Sequence, residues 1–252
     1  MHRFYLPPDQ SSGDRLLLSG REAHHALHVL RLRREDQVSV LDGSGTVLDC
    51  TVSETGRDSV ILVVGQRQLT PPHRAKVSLY QALPKGKTFE TIIQKATELC
   101  AARIVPILSE HVIAQIGPDE IIHKAEKWQL CAIEAIKQSG APWLPEVAAP
   151  IALKKLLEKG VQTELSLVGS LHGNTRHPHA CFREFAVRRG RKPESVSVWI
   201  GPEGDFTRQE IDLILTAGAL PITLGPVILR ADTAAISCLS VINHELTSPE
   251  AP

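Results

Sequence analysis

The chain has no excess of either charge. Its 28 lysines and arginines stand against 28 aspartates and glutamates, which excludes a general nucleic-acid coat but not a local basic patch. The five cysteines, Cys50, Cys100, Cys131, Cys181 and Cys238, are odd in number, far apart and without a C-x-x-C pair. That excludes a disulfide framework and a cysteine zinc site, and it fits a reducing cytoplasm. Met1 to Gln10 lacks the apolar core of a signal segment, and no apolar run is long enough to span a bilayer, so no membrane association is expected. Internal repeats and low-complexity tracts are missing. No G-x-G-x-x-G follows a strand-like run, so the dinucleotide fingerprint is absent. Pro84 to Thr88 (PKGKT) looks like half of a P-loop, but Gln81 stands where its first glycine belongs. An ATP-binding P-loop is therefore excluded, and Lys85 and Lys87 are either a solvated helix start or phosphate contacts.

What is present divides the chain in two. At 252 residues it can bury a sizeable core in one or two domains. Gln37 to Gly65 gives short alternating runs broken by Asp42-Gly43, Gly45, Gly56 and Asp58, the spacing of a meander or small β-barrel. Before it, Arg21 to Leu32 reads as a short helix with Ala23, Leu27 and Leu30 on one face. The linker-like Thr70 to Arg74 places a boundary between residues 1–72 and 73–252. Beyond it the rhythm becomes strand, helix, strand. Strands are expected at Val77–Leu83, Arg103–Leu108, Leu165–Leu171, Ser195–Ile200 and Ile222–Leu224. Helices are expected at Thr88–Leu99, Asp119–Ser139, after Thr207 with Glu210 as its capping-box partner, and from about Thr233 to Leu246. This is an α/β pattern, a mostly parallel sheet with helices on both faces.

Two glycine-rich strand ends stand out, Val198 to Phe206 (VWIGPEGDF) and Ile222 to Ile236 (ITLGPVILRADTAAI). Each is a β-branched apolar run that breaks at Gly-Pro and leads into helix-like sequence. Glycine lets backbone approach a ligand, and open α/β sheets bind ligands at the carboxyl ends of their strands. GPEGDF alone could be a tight turn. The second loop adds Arg230 and Asp232, which can orient a ligand and move a proton. His24 and His28 would share a helix face, yet no acidic or cysteine ligand sits at matching spacing, so no metal is expected. With Arg21, Arg31, Arg33 and Arg34 the histidines form a basic stripe, either an RNA-backbone contact or an ordinary charged face. Arg183, Arg188, Arg189, Arg191 and Lys192 read as a solubilising loop.

IGPEGDF followed by LGPVILRADTA resembles the paired signature of the RsmE family, the 16S ribosomal RNA uridine N3-methyltransferases of the SPOUT (trefoil-knot) superfamily. His24 to Gly45 resembles that family's PUA-like barrel, Gln81 to Glu110 its first strand-helix-strand unit, and Lys127 to Val147 the helix before its first crossover. The resemblance thus covers nearly the whole chain in order. It implies S-adenosylmethionine bound in a deep C-terminal trefoil knot, a homodimer built around that knot, and an N-terminal PUA-like β-barrel. The implied cofactor residues are Ser170, Leu171 and His172, then Ile200, Gly201 and Gly204, then Leu224, Gly225, Leu229 and Thr233, the last also capping its helix.

The implied reaction is methylation of N3 of one uridine in small-subunit rRNA, bare or assembled. Arg230 would stabilise the uracil anion or clamp the RNA, and Asp232 would act as base or orient Arg230. Arg21, Arg31, Arg33, Arg34, Lys85 and Lys87 would hold RNA. The chain departs from the pattern at Val227, where the family usually has Arg, at Asp232, where it has Glu, and at Asp205, where it has Gly. Around Lys137 and Ala141 it also lacks the usual acidic residue and Arg. Two other readings remain: a SPOUT methyltransferase acting on another RNA site, and a catalytically lapsed RNA-binding assembly factor.

Overall fold

The computed structural model describes residues 1–110, 118–171 and 174–248, with side chains omitted at 118–120. Two compact units emerge: Met1–Pro72 with Ile133–Leu144, and His73–Ala132 with Pro145–Pro252.

The first unit holds β1 (His2–Tyr5), α1 (Pro8–Ser11), β2 (Arg15–Leu18), α2 (Gly20–His24), β3 (Gln37–Leu41), β4 (Thr46–Thr55) and β5 (Val60–Leu69). They form one five-stranded sheet in the order β1-β3-β4-β5-β2, antiparallel except for the β1–β3 pair. Register shifts at Asp49/Cys50 and Val52/Glu54 bend β4, the usual effect of bulges. The sheet wraps a core that includes Phe4, Leu16, Leu18, Val38, Leu48 and Leu62. The helix expected over Arg21–Leu32 is shorter: after α2 the backbone widens into a π-helical turn, His25–Val29. The wider turn advances the inward face, so Ala26 is fully buried while Leu27 and Leu30 are only half covered.

Ile133–Leu144 closes this unit. The Gly45 N–H donates to Pro142 O (3.0 Å) and the Leu144 N–H to Gly43 O (3.0 Å). Gly45 has φ +101°, and a Cβ there would lie 2.5 Å from the Trp143 ring, so only glycine fits. Lys137, buried, binds Glu22 (2.8 Å) and Glu134 (3.1 Å). The Arg3 guanidinium donates to Lys137 O (3.2 Å) and Gln138 O (2.9 Å), capping the helix that ends at Ser139.

The second unit holds β6 (Lys76–Ala82), α3 (Thr88–Glu98), β7 (Arg103–Leu108), α4 (Pro118–Ser139, whose last residues belong to the first unit), β8 (Glu146–Val147), β9 (Ile151–Ala152), α5 (Leu153–Glu158), β10 (Leu165–Gly169), α6 (Pro178–Arg189), β11 (Ser195–Ile200), α7 (Arg208–Thr216), β12 (Leu220–Ile222) and α8 (Ala231–Thr247). Every ladder of its sheet is parallel, in the order β12-β10-β11-β6-β7-β8, with β9 also on β7. A near-continuously apolar strand such as β7, and one buried at every position but its first such as β11, are what a sheet covered on both faces produces.

On one face Tyr80, Val105, Val168, Trp199, Phe206 and Ile214 share a core. Tyr80 and Trp199, paired across β6 and β11, stack at 4.4 Å, and Trp199 Nε1 donates to Ser166 Oγ (3.0 Å). Helix α6 replaces the expected loop: Cys181, Phe182 and Phe185 bury one face, while Arg183, Arg188 and Arg189 stay on the other. Among the described residues no helix is long and apolar enough to cross a membrane, and no cluster of potential ligands could hold a metal.

Candidate functional site

Strands β10, β11 and β12 are neighbours, and all three point their carboxyl ends the same way. Their following loops converge on a cavity of about 320 Å³. β10 contributes Gly169, Ser170 and Leu171, and β11 contributes Ile200 to Glu203 and Asp205. β12 and the segment behind it contribute Ile222 to Leu229, with Ala231 and Ala234 from the start of α8. The volume lies at the lower end of the range for small-molecule pockets, roughly 300–1,000 Å³.

The floor is backbone. A Cβ on Gly169 would meet Ile200 Cδ1 at 3.3 Å, and one on Gly201 would meet Asp205 Oδ1 at 2.7 Å. Gly225 adopts φ +132°, which side chains rarely tolerate. The walls are aliphatic, from Leu171, Ile200, Leu224 and Leu229. The charged side chains in the described lining are Glu203 and Asp205, both acidic.

The loop after β11 is held from two sides. Gln81, fully buried at the end of β6, donates its Nε2 to Ile200 O (3.4 Å) and Gly201 O (3.3 Å). Glu203 Oε1 accepts the backbone N–H of Lys85 (2.9 Å), from the turn between β6 and α3. Behind the loop, Thr207 and Glu210 form the expected capping box of α7. Glu210 Oε1 also accepts the Glu110 N–H (2.9 Å), which anchors the loop after β7. Asp205 takes a left-handed φ of +62° where a glycine would be unstrained, and its Oδ1 accepts the Phe206 N–H (2.8 Å).

Of the residues named from the sequence, Ser170, Leu171, Ile200, Gly201, Leu224, Gly225 and Leu229 line this cavity. His172 lies outside the described residues. Gly204 is exposed and not on the lining, and neither is Thr233. Thr233 does not cap α8: the N-cap is Arg230, and Thr233 sits within the first turn, its N–H bonded to Asp232 Oδ1 (2.8 Å). Helix α8 starts two residues before the expected point because Ala231 already has a buried, helical place. Arg230 is exposed between the lining residues Leu229 and Ala231, and among the described residues it forms no ion pair with Asp232. Sequence reasoning missed Gly169 and Thr175, which lie outside both glycine-rich segments, and did not single out Glu203 or Ala234 within them. Gly169 carried a signal, a glycine at the end of an apolar strand, whereas Thr175 and Ala234 become visible only once the chain is folded.

The proposed RNA contacts fall apart by environment. In the first unit all four arginines are exposed; Arg21 also pairs with Glu134 (3.3 Å) and Arg34 with Glu35 (3.2 Å), whereas Arg31 and Arg33 form no salt bridge among the described residues. His24 and His28 do share a face, their rings 4.8 Å apart. In the second unit Lys85 and Lys87 are exposed on either side of Gly86, which has φ +67°.

A parallel sheet with a glycine-floored cavity at three adjoining strand ends, joined in one chain to a small curled sheet, is where two family matches fall, and together they make the chain an RNA methyltransferase with a PUA domain. The RNA methyltransferase domain family matches residues 71–243, and the RNA methyltransferase PUA domain family matches 18–65. The ribosomal RNA small subunit methyltransferase E of Synechocystis is 34% identical over 251 residues, covering 98% of this chain and 78% of that protein. The Bacillus subtilis protein of the same name is 28% identical, covering 90% of this chain and 89% of its own. The chain belongs to the ribosomal RNA small subunit methyltransferase E (RsmE) family. Among solved structures, a Legionella pneumophila methyltransferase in complex with S-adenosylmethionine superposes with TM-score 0.85 at 29% identity, covering 95% of this chain and 96% of that one. The Neisseria gonorrhoeae ribosomal RNA small subunit methyltransferase E bound to S-adenosylmethionine gives TM-score 0.80 at 27% identity, covering 96% of each chain.

Proposed function

We propose that this chain methylates N3 of one uridine in 16S rRNA, using S-adenosylmethionine. The observation that carries the reading is the single cavity formed by the β10, β11 and β12 loops, in a chain of this family. Its donor set fits the cofactor. The missing side chains at Gly169, Gly201 and Gly225 let backbone come close to an adenine, and the leucines and Ile200 supply an apolar slot. The acidic lining, Glu203 and Asp205, suits a ligand that carries a sulfonium and an ammonium.

The cofactor supplies an electrophilic methyl group; the protein supplies position and charge. N3 of uracil bears a proton and lies on the Watson–Crick edge, so the target must be unpaired or flipped out. Transfer forms the N3–C bond as the S–C bond breaks, and the N3 proton must leave. Asp232, in the first turn of α8, is the candidate acceptor of that proton. Arg230, exposed at the N-terminus of the same helix, is the candidate to meet developing negative charge on the base, or the RNA backbone. Arg21, Arg31, Arg33, Arg34, Lys85 and Lys87, all exposed, are the cations assigned to phosphate.

The finer readings are a homodimer, a knotted course of the chain around the cavity, and action in the cytoplasm, where small subunits are made. The exposed apolar side chains of Val227 and Ile228 beside the cavity support the dimer, since a second copy would cover them. The test is calorimetric titration with S-adenosylmethionine, combined with transfer of a labelled methyl group to 16S rRNA or to small subunits. Label on a uridine N3 is the expected result. Cofactor binding without transfer to any small-subunit RNA would redirect the reading to another RNA, and no cofactor binding would end it.

A further inference from the structure

We propose that Glu203 is a positioning residue that couples the cofactor cavity to the Lys85–Gly86–Lys87 turn, so that a cationic ligand in the cavity tightens RNA binding at the turn. The inference rests on the cofactor and RNA reading above. Glu203 belongs to both places at once. It lines the cavity, and its Oε1 accepts the Lys85 backbone N–H at 2.9 Å from 118 positions further along the chain. No salt bridge to Glu203 occurs among the described residues, so its charge acts on whatever stands nearby.

The charges then decide the sign of the coupling. Lys85 and Lys87 are exposed and without salt-bridge partners among the described residues, as a phosphate-binding turn requires. A carboxylate hydrogen-bonded to the same turn opposes a phosphate there. A sulfonium or ammonium in the cavity offsets that carboxylate, and the opposition falls. When the methyl group leaves, sulfur becomes neutral and the offset shrinks. The same residue would thus favour RNA on the loaded enzyme and its release after transfer. Linkage makes the effect reciprocal: RNA at the turn tightens cationic-ligand binding by the same factor.

The ligands for the test are sinefungin, which carries an ammonium in place of the sulfonium and cannot transfer a methyl group, and S-adenosylhomocysteine, neutral at sulfur. The affinity of unmodified 16S rRNA transcript is measured with the wild-type protein alone and saturated with each ligand. Sinefungin should tighten RNA binding about fivefold, the lower end of usual coupling strengths, and S-adenosylhomocysteine clearly less. Glu203→Gln keeps an acceptor for the Lys85 N–H and removes the charge. It should bind RNA more tightly when empty and show a sinefungin ratio close to one. An unchanged ratio in Glu203→Gln, or a wild-type ratio equal for the two ligands, overturns the coupling and leaves the functional reading intact. Failure of the wild type to bind either nucleoside overturns both.

Discussion

The Gln81 side-chain amide donates to the carbonyl of Gly201 (3.3 Å) and to those of Ile200 (3.4 Å) and Ala82 (3.0 Å). These partners fix the orientation of the amide: turned over, its oxygen would face three carbonyls. The oxygen is left buried without a hydrogen-bond partner among the described residues, an arrangement that costs about 1–3 kcal/mol. Gln81 therefore serves the loop more than its own stability, since it holds the end of β11 where that strand becomes cavity floor.

Replacing Gln81 separates these contributions. Gln81→Leu should weaken S-adenosylmethionine binding while changing stability by no more than about 1–3 kcal/mol, because it removes a donor and an orphaned acceptor together. Gln81→Glu should depend on pH. A buried carboxyl holds its proton above the ordinary range; protonated, it can donate to one carbonyl, and ionised, it repels all three. Its melting temperature should fall as pH rises from 5 to 8 relative to wild type, and Gln81→Leu should show no such slope. Thermal unfolding at the two pH values, with cofactor calorimetry, checks both.

Asp205 has a left-handed φ of +62°, a backbone conformation that glycine adopts without strain. Aspartate tolerates this region better than most residues, and here its Oδ1 also accepts the Phe206 N–H. Asp205→Ala keeps the strained backbone and loses the acceptor, so it should cost about 1–2 kcal/mol. Asp205→Gly loses the acceptor but relaxes the backbone and should cost less. The expected order of melting temperature is wild type, then glycine, then alanine; alanine above glycine would mean that strain at residue 205 is unimportant.

How far the sequence could be read depended on how local each cause was. β7 emerged with its observed bounds because a buried parallel strand is a near-continuous apolar run, β11 because Val196, Val198, Trp199 and Ile200 mark it despite two serines, and Thr207 with Glu210 announced the start of α7 three residues apart. β2 was hidden: its exposed and buried positions alternate, but Leu16, Leu17 and Leu18 are chemically alike. α6 was hidden by its arginines, which outweighed Cys181, Phe182 and Phe185. The last cation of that cluster, Lys192, proved to be a cap, its Nζ bonded to Glu245 O (2.6 Å) and Leu246 O (3.4 Å) at the end of α8. β12 was expected at Ile222–Leu224 but covers Leu220–Ile222, because the chain leaves the sheet at Thr223 to line the cavity. The glycine loops could be read as a site, and Gly169 ends an apolar run; that Thr175 and Ala234 reach the same cavity follows only from the folded chain.

Glu164 offers a pH test remote from the site. Its carboxylate accepts from both terminal nitrogens of Arg191, Nη1 and Nη2, and also from the Glu194 N–H (2.7 Å). The Arg191 hydrogen bond, then the Glu194 N–H, draws its pKa from the ordinary 4.5 down to about 2. A depressed carboxylate stabilises the fold above its unfolded pKa and loses that contribution as pH falls through the folded value. The loss should therefore appear between about pH 4.5 and 2 and be modest, since the pair meets solvent. Glu164→Gln should lower the melting temperature at pH 7 and make the profile flatter over that acid window; an unchanged acid profile would remove the pair from the stability balance.

Arg230 carries the sharpest prediction about chemistry. It is the N-cap of α8, with extended backbone (φ −64°, ψ 154°), and its guanidinium, a donor only, cannot cap the helix N–H groups. Its neighbours Leu229 and Ala231 face the cavity while its own side chain is exposed, which puts a permanent cation at the rim and outside the slot. Arg230→Ala should then leave S-adenosylmethionine affinity and melting temperature nearly unchanged. If the guanidinium meets charge that develops on the uracil, single-turnover methyl transfer should slow by about 3 kcal/mol, roughly a hundredfold or more. If it clamps phosphate instead, RNA affinity should fall and the salt dependence of binding flatten, with little change in the rate at saturating RNA. Arg230→Lys discriminates further: a lysine can replace a phosphate contact but not a planar, two-pronged grip on a base, so recovery by lysine assigns Arg230 to the backbone and failure of recovery assigns it to the uracil.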